Sequence, residues 1–206
     1  MEYLESQNTT AFLKAVRARY NQGTLQRLIS SFDDVITRRA AVLVLGFVGD
    51  YESNHVLGRA LNDQDRTTRM MAETSIRKIW MRFGNPEHRR EIAVIARMNA
   101  AKRYREVIRR AGALIDELPD FAEAYNQRAV AFFGQGEFAE AIRDCHQALE
   151  LNPYHFGAAA GMGQAYLELN DPVSALEAFR RALRLNPDLE AVRVQVHRLS
   201  RLIEDS

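Results

Sequence analysis

The sequence predicts an all-α protein, a solenoid of stacked helix pairs. Three observations predict it. The C-terminal half repeats itself every 34 residues, the N-terminal half carries a looser period of 31, and the composition favours helix. Alanine, leucine, glutamate and arginine dominate, and all four are good helix formers. Five prolines and eleven glycines among 206 residues leave little room for a loop-rich chain, and the length suffices to bury a substantial core.

From the N-terminus, Thr9–Tyr20 reads as a leading helix with Phe12, Val16 and Tyr20 turned inward. Two helix pairs follow, at about 22–52 and 53–83. An offset of 31 pairs Leu25 with Val56, Ile29 with Ala60, Asp34 with Asp65, Arg38 with Arg69, Ala41 with Ala72 and Leu45 with Ile76. The turns Phe32-Asp33-Asp34 and Asn62-Asp63-Gln64-Asp65 are acidic, which suits residues that cap the next helix better than a catalytic pair of carboxylates. A helix, an acidic turn, then a helix opening with arginine and alanine resembles HEAT repeats. The stretch Phe83-Gly84-Asn85-Pro86-Glu87 then supplies a helix stop, a cap and a first-turn proline. This places a boundary between residues 1–84 and 85–206, joined by a short and rigid connection.

Three units in register follow, at about 88–121, 122–155 and 156–189. Gln147-Ala148-Leu149-Glu150-Leu151-Asn152-Pro153 returns as Arg181-Ala182-Leu183-Arg184-Leu185-Asn186-Pro187, and a further step of the same length back lands on Pro119. Each unit has two amphipathic stretches. In the second, Tyr125, Ala129 and Phe132 line one stripe and Ala141, Cys145 and Ala148 the other, with Gly134-Gln135-Gly136 turning the chain between them. Leu189, Val192, Val196, Leu199 and Ile203 form a last apolar stripe, a capping helix over 190–203 with Arg193, His197, Arg198 and Arg201 turned away.

This pattern resembles the tetratricopeptide repeat over about residues 88–203. Tyr125, Ala129, Phe132, Ala141, Ala148 and Pro153 fit the repeat in the second unit, and Gly163, Tyr166, Ala175, Ala182 and Pro187 in the third. Ala159 stands where an aromatic is usual. The first unit keeps Tyr104 and Pro119 but has Ile95, Val107 and Leu114 at positions reserved for small residues, so its helices should splay. The resemblance implies a right-handed superhelical solenoid, a non-catalytic protein and a concave groove for a peptide or helix of another protein. Carried over, the groove takes Arg89, Ile92 and Ala96 from the first unit, with Ala93, Asn99 and Ala100. From the second it takes Asn126, Gln127, Val130 and Phe133, with Glu123 and Gly134, and from the third Gln164 and Leu167, with Gly157, Ala160, Gly161 and Glu168. Phe133 is the expected anchor. Relatives that clamp the carboxylate tail of heat-shock chaperones use charged and amide residues where this chain has Ile92, Ala96, Gln127, Gly157 and Gly161, so that activity is not expected.

Other chemistry finds little footing. Histidines 55, 88, 146, 155 and 197 form no ligand pair on a helix face, so no metal or cofactor is expected, and they read as surface or boundary residues. Cys145, the single cysteine, reads as a buried small hydrophobe. Gly161-Met162-Gly163 lies within a helix and reads as close packing, not a phosphate loop. The net charge of +1 hides an asymmetry: residues 77–110 hold eleven basic and three acidic side chains, whereas 111–206 hold eight and fifteen. Arg89, Arg90, Arg97, Lys102, Arg103, Arg105, Arg109 and Arg110 are the core of this basic segment. Nucleic-acid or anionic-surface binding is therefore the alternative, and self-association of basic with acidic regions a third. The acidic start, Met1-Glu2-Tyr3-Leu4-Glu5-Ser6, is unlike a signal peptide, and no apolar run reaches the roughly 20 residues of a membrane span, so a cytoplasmic protein is expected.

Overall fold

The computed structural model describes residues 9–31 and 33–204. Met1–Ser6 and Phe32, on which two of the expectations above rest, lie outside the described residues. All regular structure among the described residues is helical, in two compact units, Met1–Arg82 and Phe83–Ser206. The sequence boundary stands at residue 84.

The first unit holds α1 (Thr9–Arg19), α2 (Gln22–Ser31), α3 (Val35–Val48), a 3-10 turn (Tyr51–Ser53), α4 (Asn54–Ala60) and α5 (Arg66–Trp80). Helix α2 packs on α3 and α4 on α5, and α3 lies against α5. The residues paired by the 31-residue offset do the same work twice. Leu25 and Val56, Ile29 and Ala60, Ala41 and Ala72, and Leu45 and Ile76 are all buried. Asp34 accepts from the backbone of Ile36 and Thr37, and Asp65 from that of Thr68, so each satisfies donors that a helix start leaves free. The Thr37 hydroxyl, then these backbone donors, hold the Asp34 carboxyl below its usual range, and the Arg39 bond, then the Thr68 backbone and hydroxyl, do the same for Asp65. Arg38 and Arg39 reach Asp63 and Asp65 at 2.9 and 2.7 Å. Tyr20 is 45% exposed, contrary to its expected inward place, because α1 ends one residue earlier.

The second unit holds α6 (Pro86–Ala100), α7 (Tyr104–Glu117), α8 (Ala122–Gln135), α9 (Phe138–Leu151), α10 (Phe156–Glu168), α11 (Pro172–Leu185) and α12 (Glu190–Glu204). Each helix packs on the next. The 34-residue period is written into the backbone. Lys102, Gly136 and Asn170 sit at equal spacing, each ends the first helix of a pair, and their φ angles are 57°, 80° and 56°. Glycine adopts this left-handed turn freely and asparagine tolerates it, whereas lysine is strained there. Leu118, Asn152 and Asn186 end the second helices with matching φ angles of −139°, −136° and −140°.

Small residues set how closely the pairs approach. A Cβ on Gly163 would lie 2.6 Å from the Phe179 ring, so that ring packs directly against the α10 backbone. In the first pair Ile95, Val107 and Leu114 are all buried, and the traces of α6 and α7 run close over a shorter stretch than those of α8 and α9 or α10 and α11. This is the splay that larger side chains impose.

Candidate functional site: an apolar hollow between α8 and α10

Helices α8 and α10 lie side by side, and a hollow of about 150 Å³ opens between them. Asn126, Val130 and Phe133 form its wall on α8, Gly157, Gly161 and Gln164 its wall on α10, and Ala129, Ala141 and Cys145 its floor. It exists because two glycines stand where other residues would project side chains. A Cβ on Gly161 would reach Cys145 Sγ at 3.7 Å, an ordinary contact, so alanine fits there but shallows the space. Phe133 is half-buried and meets Phe138 edge-on, with ring centres 5.3 Å apart, which fixes its orientation. Val130 is 46% exposed at the rim. Cys145 is buried, and desolvation pushes its thiol up to about 12, so it is an apolar lining atom and not a nucleophile.

The structure brings together Asn126, Val130, Phe133 and Gln164, with Gly157 and Gly161. Leu167 is partly buried against the core next to them. Other groove assignments are corrected. Ile92 is fully buried, so it is part of the core and offers no surface. Arg89 is exposed, but its Nε donates to the Gly84 carbonyl 3.1 Å away. Ala96 is half-buried and does not line the hollow. Gly134 is exposed but lies against the Tyr104 ring, 2.4 Å from where a Cβ would stand, and does not line the hollow.

Gln127 and Glu123 belong to a buried polar chain that sequence reasoning missed. Glu123 and His155 are 6% and 1% exposed, although one was assigned to the groove and the other to the surface. The Ala158 N–H donates to His155 Nδ1 at 3.0 Å, which leaves the ring proton on Nε2, 2.9 Å from Glu123 Oε2. Gln127 donates its amide to Glu123 Oε1 at 2.6 Å, and Asn99 donates to the Gln127 side chain at 2.7 Å. Burial pushes the Glu123 carboxyl up, but the hydrogen bonds from His155, Gln127 and Asn126 outweigh it and hold the group below its ordinary value. The chain ties α6, α8 and the start of α10 together beside the hollow. Nothing in the sequence pairs residues 123 and 155; their meeting depends on how the repeats stack.

The basic segment is partly neutralised. Arg90, Arg103 and Arg110 are engaged by Glu87, Glu106 and Glu91. Arg97, Lys102, Arg105 and Arg109 are exposed; Arg105 and Arg109 stand one turn apart on α7, and Lys102, Arg103 and Arg105 line one open depression. Trp80 is buried in the first unit, and Tyr104 is spent on Gly134, so neither ring offers a stacking platform. Among the described residues no three histidine, cysteine or acidic side chains gather as a metal site, and no helix is long and apolar enough to cross a membrane.

With this geometry in view, comparison with known proteins is direct. The tetratricopeptide repeat family profile matches residues 122–155 and 158–189, which include all of α8–α11 except the first two residues of α10. A TPR repeat-containing protein of Rhizobium etli is 32% identical over 82 residues, which are 40% of this chain and 40% of that protein. Sperm-associated antigen 1A of Danio rerio is 29% identical over 43% of this chain and 21% of its own length. The chain thus spans well under half the length of these relatives. Among solved structures, the first TPR of Spaghetti bound to the HSP90 peptide SRMEEVD superposes with a TM-score of 0.52 at 24% identity, over 56% of this chain and 94% of that one. The TPR2AB domain of yeast Sti1 in complex with pHSP90 gives 0.52 at 17% identity over 97% of this chain and 95% of that one. The second unit therefore carries tetratricopeptide repeats in a tetratricopeptide fold.

Proposed function

We propose that this protein is a non-catalytic, cytoplasmic protein-interaction scaffold whose second unit receives a peptide or helix of another protein, with one apolar side chain seated in the hollow beside Phe133. The observation that carries this reading is the hollow itself. An apolar space near 150 Å³ accepts a benzene-sized group, and this one opens to the surface between two repeats, with Asn126 and Gln164 at its walls. One structural neighbour holds an HSP90 peptide and another is in complex with pHSP90, which supports a peptide as the ligand class. An acidic chaperone tail is disfavoured for this chain, because Ile92 is buried and Gly157 and Gly161 carry no side chain with which to clamp a carboxylate. The first unit's doubled turns, with Asp34 and Asp65 as caps, support a HEAT-like origin for that unit. Anionic-surface binding by the basic segment has less support, given its local ion pairs with Glu87, Glu106 and Glu91.

Two substitutions test the reading together. Phe133→Ala should weaken peptide binding by about 1–2 kcal/mol in titration calorimetry. Gly161→Ala should weaken binding too, yet stabilise the fold by about 0.5–1 kcal/mol, because alanine is the better helix residue. Unchanged affinity in both variants would remove the hollow as the binding site. Binding through phosphates or other polyanions would instead collapse between 50 and 200 mM salt, on the order of a thousandfold for six contacts.

A further inference from the structure

We infer that the first unit has a docking surface of its own, an apolar row across α3 and α5 with a basic rim. Its occupant is an amphipathic helix of a partner protein whose apolar face is bordered by carboxylates. The surface is separate from the hollow and does not depend on it. Helices α3 and α5 run side by side in the same direction, and three ties along their length fix this. Arg39 reaches Asp65 at the start of α5, Ser75 donates to the Val42 carbonyl at 3.1 Å, and Arg82 donates to the Gly46 and Gly49 carbonyls, each at 2.7 Å. Ala41, Val42, Val44 and Leu45 bury one side of α3. Ile36, Ala40, Leu43 and Phe47, spaced by four, three and four residues, share another side and are exposed, Ile36 by 70%. The matching row on α5 is Arg66, Met70, Thr74 and Lys78, also exposed, Met70 by 56%. Lys78 Nζ stands 4.6 Å from the centre of the Phe47 ring, which sets the two rows beside each other.

Apolar side chains exposed singly are ordinary on a protein surface; large ones standing in line mark a place of contact. The row from Ile36 to Phe47 runs about 16 Å at 1.5 Å per residue. That is three turns, the length over which a partner helix lays down anchors at i, i+4, i+7 and i+11. The rim sets the partner's charge. Glu73 is the only acidic residue in α1, α3 and α5, and Arg77 engages it at 3.1 Å. Asp34, Asp63 and Asp65, in the turns, are occupied by helix starts and by Arg38 and Arg39. Arg66 and Lys78 take part in no ion pair among the described residues, and α1, which packs on α3, adds Lys14, Arg17 and Arg19. Carboxylates on the partner complement this rim. The same face on a second copy would bring like charges together. Arg66 and Lys78 lie about 18 Å apart along α5, so the matching carboxylates fall roughly three turns apart on the partner helix.

The test is a display library of sixteen-residue peptides of helical composition, selected on the immobilised full chain. Leucine is fixed at i, i+4, i+7 and i+11, and the flanking positions vary among glutamate, glutamine and lysine. Glutamate should be enriched at the flanks. The strongest peptide is then synthesised with a fluorescein label and titrated by anisotropy. Ile36→Glu and Leu43→Glu, both at exposed sites and checked for unchanged melting, should each weaken it at least tenfold, and Lys78→Glu at least fivefold. Phe133→Ala, in the hollow, should leave its affinity unchanged. An empty selection, lysine at the flanks, unchanged affinity in Ile36→Glu and Leu43→Glu, or loss confined to Phe133→Ala would overturn the inference. Light scattering and flotation with vesicles containing phosphatidylserine complete the test. A dimer, or vesicle binding, that Leu43→Glu abolishes would give the face to a second copy or to a lipid surface, and would equally overturn it.

Discussion

The two units of this protein build helix pairs from the same elements but close them differently. The first fills its interior with large side chains, Leu45, Leu57, Leu61, Ile76, Ile79 and Trp80, and ties its turns with arginine–aspartate bonds. The second also buries large rings, Phe121, Phe156 and Phe179, but sets Phe179 on Gly163 and Tyr104 on Gly134, and adds to its surface ion pairs a buried polar bond between Glu123 and His155. One close approach is shared, since a Cβ on Gly46 would lie 2.3 Å from Ser75 Oγ. Small residues let helices come together, but they also leave surface positions empty. The hollow arises in the unit that relies on them.

This contrast can be broken experimentally. The largest effect is expected from His155→Ala, which leaves the Glu123 carboxylate buried without its main partner and removes the cap of α10. A loss of about 3–5 kcal/mol in urea unfolding is expected, with amide exchange accelerated in α8 and α10 while α3 and α5 keep their protection. Equal acceleration in both units would show that they are not separately stabilised. Next, Gly163→Ala should cost about 1–3 kcal/mol by overpacking against Phe179. Gly46→Ala should cost a similar amount in the first unit, where Ser75 must yield its bond to the Val42 carbonyl. A harmless Gly163→Ala would contradict the ring-on-backbone packing.

Two smaller effects sharpen the comparison. Lys102→Gly should stabilise the second unit by about 1 kcal/mol, because only glycine adopts that left-handed turn without strain. Thermal melting checks the sign. Acid should act on both units by the same rule. Asp34, Asp65 and Glu123 are each held below their unfolded values, so their stabilisation is complete above about pH 4.5 and is lost as pH falls through the folded values. Circular dichroism melts between pH 5 and 3 should show a falling midpoint, and a flat profile would contradict these shifts.

Much of this was legible in the sequence because repeats expose their own register. Once Pro119, Pro153 and Pro187 aligned, the helix pairs, the turns and the inward stripes followed, and so did Asn126, Val130, Phe133 and Gln164 beside the hollow. Position in a repeat is a weaker guide where a side chain changes its neighbours. Ile92 holds a groove position, yet it is apolar and large, and the fold buries it. His155 carries no local sign of burial, because its partner lies 32 residues earlier and meets it only when α8 and α10 stack.

Cys145 has a practical consequence. A chain with one cysteine invites dye attachment through sulfur, and here that atom forms the bottom of the hollow. With its thiol pushed up to about 12, conjugation at neutral pH will be sluggish, and any fluorophore that does attach will plug the space it was meant to watch. Reporter groups for this protein therefore belong on a newly introduced surface cysteine, in a background where Cys145 has been exchanged for alanine.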